Sequence, residues 1–221
     1  MTPAVPVPAA TVILVREPLE VLLLRRHQKS SFMASSFVFP GGKLDAGETP
    51  AQAGARELRE EAGVQVDADA LTPWAHWITP SVEPRRFDVR FFLARMPPGQ
   101  MAAHDAEETT AELWTSPAAA VAAQAQGTLK LPPPTLRTLE ELAACADVSA
   151  LFEEARARAA AGEIVPILPK FAPFEGTLAL LLPWDPEYAS AVGEGLPFPE
   201  RHRLRATPSR IVLRDGRWWN R

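Results

Sequence analysis

The sequence predicts an α/β fold, and three observations carry that expectation. Apolar runs of strand length recur at Ala10–Val15, Val21–Arg25, Leu71–Ile78 and Phe87–Ala94. Between the two pairs, Thr49–Ala62 carries helix start and stop signals. The apolar positions of that helix, Ala51, Ala55, Leu58 and Ala62, recur at i, i+4, i+7 and i+11. Most are alanine, so the helix must pack very close to a sheet.

In chain order, Ala10–Val15 and Val21–Arg25 are separated by Arg16–Glu20 and read as a hairpin. Ser36–Phe39 alternates weakly and runs into Pro40-Gly41-Gly42, a turn. Thr49 suits the N-cap of the helix, Pro50 its first position, and Gly63 its C-terminal stop. Leu71–Ile78 and Phe87–Ala94 form a second strand pair, joined by the proline- and charge-rich stretch 79–86. Gln100–Thr110 is a polar, acidic loop and Ala111–Thr115 a short strand. Pro117–Gln126, opened by Ser116, is a helix, and Thr135–Ala146 and Ser149–Ala161 are two more helical patterns. Beyond Gly162 the composition shifts from helical to proline-rich strands. Leu178–Leu182 and Arg210–Leu213 read as strands, the latter turning at Asp215-Gly216 into Arg217–Trp219. The expected division is a domain over 1–162 and a C-terminal extension over 163–221 that packs on it or builds a homodimer.

The bulk numbers exclude some partners. A net charge of −4 gives no general attraction to nucleic acid or anionic membranes, so an anionic ligand needs a local basic patch. No stretch approaches the ~20 apolar residues that span a bilayer. The proline-punctuated N-terminus lacks a basic leader, and the single cysteine, Cys145, cannot form an internal disulfide. Both fit a cytoplasmic protein. None of the four histidines forms a zinc-like pair.

The chemistry concentrates in residues 42–64, GKLDAGETPAQAGARELREEAGV. Glu57, Glu60 and Glu61 fall on adjoining ridges of one helix, three and four residues apart. Three carboxylates so placed repel one another unless a positive charge sits among them, most simply a divalent metal. Hard oxygen donors in this number suit Mg²⁺ or Mn²⁺, which keep waters and bridge phosphate oxygens. The glutamates are expected to project opposite the alanine–leucine face.

Gly42, Glu48, Arg56-Glu57-Leu58, Glu60-Glu61 and Gly63-Val64 stand in the register of the Nudix box, so the chain resembles the Nudix hydrolase family. The resemblance implies an α/β/α sandwich with a mixed, curved sheet between helices, and water-driven cleavage of a nucleoside diphosphate linked to another group X. It implies that Glu57, Glu60 and Glu61 bind metal, with the carbonyl of Gly41 or Gly42 as a further ligand. It also implies that Glu57 serves as a base in some members, that Arg56 orients the glutamates, and that Glu48 fixes the loop. A further carboxylate outside the box often completes such sites. The acidic loop offers Asp105, Glu107, Glu108 and Glu112, of which Glu108 and Glu112 are favoured among the four, against the ordinary reading of a solvated acidic loop.

The group X must be read outside the box. Leu22–Lys43, with Arg25, Arg26 and Lys29 before Phe39-Pro40-Gly41-Gly42, is similar in spacing to the coenzyme A diphosphatase signature, though incomplete. Trp77–Ala94 and Leu181–Tyr188 are also similar to that branch. The resemblance implies a CoA-like small-molecule nucleotide substrate. CoA carries a diphosphate and a 3′-phosphate, for which Arg85, Arg86, Arg90, Arg26 and Lys43 are candidate cations, against ordinary pairing with Glu83 and Asp88. Trp74, Trp77, Phe87, Phe91 and Phe92 read as core, with a few available to line a pocket.

Overall fold

A computed structural model describes residues 3–27, 35–103 and 109–221. The chain runs β1 (Val7–Arg16), β2 (Glu20–Arg26), β3 (Phe37–Val38), β4 (Gly41–Lys43), α1 (Pro50–Ala62), β5 (Thr72–Ile78), β6 (Phe87–Arg95) and β7 (Thr109–Thr115). There follow α2 (Pro117–Gln126), α3 (Pro133–Ala143) and α4 (Val148–Ala160), then β8 (Pro166–Ile167), β9 (Lys170–Phe174), β10 (Thr177–Leu181), β11 (Arg210–Arg214) and β12 (Arg217–Asn220).

The first eight strands form one mixed sheet in the order β3-β2-β1-β6-β5-β8, with β4 on β1 and β7 on β2. β1 is central: it pairs antiparallel with β2 and parallel with β6. Its residues alternate between two cores, as a strand buried on both faces requires. Val12 and Leu14 pack with Leu22, Leu24, Phe92 and α1. Ile13 and Val15 pack with Leu23, Phe91, Leu93 and helices α2 to α4. The result is the expected three-layer α/β/α arrangement. Among the described residues no helix is long and apolar enough to cross a membrane.

The last four strands make a second, antiparallel sheet in the order β12-β11-β10-β9. The sequence pattern passes over β8 and β9, where Pro166, Pro169 and Pro173 break the strand signal. The predicted hairpin at Asp215-Gly216 is present, and both residues adopt positive φ. One face of this sheet carries Leu180 and Ile211 into the main apolar core. The other carries Ala179, Leu181 and Val212 against Tyr188. The Leu181–Tyr188 stretch is itself a set of internal ties. The fully enclosed Asp185 carboxylate accepts from Ser209 Oγ (2.8 Å) and from Arg210 Nε (2.7 Å) and Nη2 (3.1 Å). Tyr188 donates to the Leu168 carbonyl at 2.5 Å. Glu141 of α3 gathers Arg137, Arg158 and Arg203 at 3.3, 3.0 and 3.0 Å, joining α3, α4 and the C-terminal segment.

Candidate active site

Helix α1 is fixed at both ends by local chemistry. Thr49 Oγ1 accepts from Gln52 N and Gln52 Oε1 accepts from Thr49 N, a reciprocal cap. Gly63 closes the helix at φ 66° and donates to the Arg59 carbonyl. The buried stripe is Ala53, Gly54, Leu58, Glu61 and Ala62, while Ala51 and Ala55 are half-buried. The helix is thus rotated from the expected face. Gly54 is the contact that sets it, because a Cβ there would sit 3.0 Å from Val12 Cγ2. The rotation corrects the expectation that the glutamates project opposite the packed face. Glu61 lies within that face and is buried, and Glu57 is half-buried beside it.

Arg56 organises the acidic end. Its Nε and Nη2 reach the two oxygens of Glu48 at 2.9 and 3.0 Å, and Nη1 reaches Glu57 (2.8 Å) and Glu60 (3.0 Å). Nη2 also donates to the Lys43 carbonyl at 2.8 Å, tying the helix to β4. Glu48 in turn accepts from Asp45 N. The Arg56 guanidinium and then that amide hold the Glu48 carboxyl below the usual carboxylate range. Glu48 in turn leads the hydrogen bonds that push Arg56 further above its already high value.

Two glycines bring β4 against these carboxylates. Gly41 N donates to Glu61 Oε2 at 2.9 Å. A Cβ at Gly42 would overlap the Glu57 carboxylate, and one at Gly41 would meet the backbone of Ala10 and Thr11. The turn that the sequence marks as Pro40-Gly41-Gly42 is therefore a close approach that side chains would block.

All donors at this end are hard oxygens, a set that fits a divalent cation such as Mg²⁺. Among the described residues, however, no three His, Cys, Asp or Glu side chains are gathered closely enough to hold an ion as they stand. Arg56 engages an oxygen each of Glu57 and Glu60.

Glu57, Glu60 and Glu61 line one end of a cavity of about 1040 Å³, with Gly41, Gly42, Lys43 and Asp45. Arg26, Arg85 and Arg86 line the same cavity, as do Trp77, Phe87 and Phe91. It lies on the face of the sheet that carries Thr11, Val89 and Phe91. Arg90 does not reach it. Strand alternation places Arg90 with Asp88 and Phe92 on the opposite face, where it lines a separate depression of about 240 Å³. Glu112 is exposed, opposite Leu24 in the β2–β7 register, and is not in the cavity lining. Asp105, Glu107 and Glu108 lie outside the described residues.

The adjacent arginines 85 and 86 differ. Arg85 is exposed. Arg86 is buried and donates to the carbonyls of Ala4 (2.7 Å) and Thr79 (3.1 Å), with an ion pair to Glu194 at 2.9 Å. It ties the N-terminus, the 79–86 connection and the C-terminal segment together. Sequence reasoning missed Asp45 and the far wall of the cavity, formed by Pro132, Pro169, Phe171, Leu180 and Trp218. Asp45 lies within the motif, where it could have been noticed. The wall has no local signal, because residues far apart in the chain build it.

The NUDIX domain model matches residues 5–135, more than half of the chain. A Caenorhabditis elegans protein provisionally named nudix hydrolase 7 is 28% identical over 180 residues, 63% of this chain and 61% of its own length. The 8-oxo-dGTP diphosphatase of Escherichia coli is 41% identical over 51 residues, 23% of this chain and 40% of its own length. The chain thus spans less than two thirds of either curated relative. The crystal structure of a NUDIX hydrolase from Alicyclobacillus acidocaldarius superposes with a TM-score of 0.61 at 22% identity, covering 68% of this chain and 96% of that one, a likeness of fold. With the motif of residues 42–64 seated on α1 and β4 within the matched span, the chain belongs to the Nudix family.

Proposed function

We propose that the protein is a divalent-metal-dependent hydrolase of a nucleoside diphosphate linked to X, with CoA or an acyl-CoA as substrate. The products would be 3′,5′-ADP and 4′-phosphopantetheine or its acyl form. The observation that carries this reading is the single cavity that joins Glu57, Glu60 and Glu61 to Arg26, Arg85 and Arg86. Its volume, about 1040 Å³, stands at the upper end for small-molecule sites and suits a ligand as large as CoA.

Glu57, Glu60 and Glu61 would hold Mg²⁺ or Mn²⁺ with the Gly41 or Gly42 carbonyl. A bound divalent ion offsets phosphate charge and acidifies water. Arg56, locked by Glu48, would hold Glu57 and Glu60 in place, and Glu57 would accept a proton from the attacking water. Arg85, Arg26 and Lys43 supply the cations that a triply phosphorylated ligand needs. Arg86 contributes positive charge from behind while keeping its structural bonds. Arg90 has no part in this scheme, since it faces away.

A second reading, an ADP-ribose or nucleoside-diphosphate-sugar hydrolase, draws on the same acidic and basic ends and makes less use of the apolar wall. The E. coli relative's name adds 8-oxo-dGTP as a third candidate. Turnover of CoA, ADP-ribose and 8-oxo-dGTP with Mg²⁺, with Mn²⁺ and with a chelator separates them. CoA cleavage that the chelator abolishes supports the first reading. A non-catalytic nucleotide-binding module would cleave none of them while a nucleotide still raised its melting temperature.

A further inference from the structure

The C-terminal sheet does more than cover the core. We propose that its inner face, through Phe171 and Trp218, is a specificity wall that selects substrates whose group X is an extended apolar chain. This rests on the reading that the cavity takes a nucleoside diphosphate–X.

The register shows why these residues share a face. Phe171 on β9 stands opposite Leu180 on β10, and Leu180 stands opposite Ile211 on β11. Trp218 on β12 pairs with Leu213, two residues beyond Ile211 and so on the same side. Alternate residues, Ala172, Ala179 and Val212, face the Tyr188 side instead. The inner face is anchored, not loose. Gln124 Nε2 donates to the Trp218 carbonyl at 3.1 Å while Gln124 Oε1 accepts from Leu131 N at 2.8 Å. Gln124 thereby couples β12 to the segment that leads into Pro132–Pro134.

Phe171, Leu180 and Trp218 line the same cavity as the three glutamates, and Pro132 and Pro169 continue the apolar surface. All but Pro132 lie beyond the span that the family model matches. The cavity therefore has its charged lining and much of its apolar lining from the matched span, and Pro169, Phe171, Leu180 and Trp218 add further apolar surface from beyond it. A ligand that touches both sets of residues carries phosphates and an uncharged chain. An apolar wall continuous with a charged site discriminates by chain length, because each added methylene finds surface to leave water against.

The test uses ADP esterified on its β-phosphate with methyl, hexyl or decyl alcohol. Water adds to one phosphorus, the bridging P–O bond breaks, and AMP and the alkyl phosphate leave. The full-length protein and the Phe171→Ala, Phe171→Leu and Trp218→Ala variants are compared for kcat/KM and, by calorimetry, for Kd. In the native protein the decyl ester should exceed the methyl ester by about tenfold or more in kcat/KM or in affinity. Either alanine variant should shrink that ratio several-fold, mainly through KM, and Phe171→Leu should restore most of it. A native ratio near one, or a ratio untouched in alanine variants that keep their melting temperature, overturns the proposal. If an alanine variant does not fold, Phe171→Leu and Trp218→Phe must shift the chain-length ratio, and an unshifted ratio overturns it equally. If CoA itself is not cleaved while the alkyl series behaves as described, the CoA assignment fails and the apolar wall stands.

Discussion

Arg56 reaches the cavity through Glu57 and Glu60, which line it, whereas Arg86 lines it directly. Arg56 is held by carboxylates of its own neighbourhood, Glu48, Glu57 and Glu60, and by the nearby Lys43 carbonyl. Arg86 is held by groups from three remote parts of the chain: Ala4, Thr79 and Glu194. Removing the first arginine would disturb a local cluster of charges. Removing the second would release three segments at once. On the proposed reading, chemistry and architecture are divided between two residues of the same type, and the division can be tested.

The largest effect is expected at the acidic end. Glu60→Gln should lower kcat by about 100-fold or more while leaving melting within a few degrees, since it removes a charge from the reacting region. Unchanged turnover in a chelator-sensitive assay would remove Glu60 from the metal site. The next effect is one of stability. Arg86→Ala removes a buried side chain and the hydrogen bonds that tie three segments, and should cost about 1–2 kcal/mol in urea denaturation, since Ala4 and Glu194 are open to water. Arg85→Ala, one residue away and exposed, should change stability by less than about 0.5 kcal/mol but raise KM several-fold. If the two variants behave alike in both measurements, the division between them is wrong.

Gly42→Ala sharpens the same contrast. The added methyl overlaps the Glu57 carboxylate, so Glu57 must move. A loss of about tenfold in kcat, with a smaller loss of stability, is expected from misplacing a reacting group.

The smallest effect concerns pH. Glu48 titrates below its ordinary value, so the stability it contributes is present above pH 4.5 and is lost as pH falls through its folded pKa. Glu48→Gln should therefore melt lower than the native protein at pH 7, and the gap should narrow as pH falls below 4.5. A gap that stays constant would mean the Arg56–Glu48 pair does not set that residue's protonation.

Much of this was legible before the fold was seen. Thr49, Pro50 and Gly63 mark the ends of α1 because capping is local chemistry. The near-continuous apolar runs of β1, β2, β5 and β6 give the central strands because a sheet covered on both faces demands apolar residues on both. The facing of α1 was not legible, because alanine at 51, 53, 55 and 62 offers more than one small-residue stripe. Only the close packing of Gly54 on Val12 chooses between them. Arg90 misled because its neighbours in sequence line the cavity, while strand alternation turns it away. Phe171 and Trp218 carried no signal of a site, since each becomes part of a wall only when the C-terminal sheet meets the core.

The central claim is that one cavity holds a diphosphate at the glutamates and a long substituent beyond the arginines. The most direct measurement is side-by-side hydrolysis of CoA and ADP-ribose by the full-length protein with Mg²⁺, products resolved by chromatography. CoA should be cleaved to 3′,5′-ADP and 4′-phosphopantetheine with the higher kcat/KM. Preferential cleavage of ADP-ribose, with CoA left intact, would contradict it.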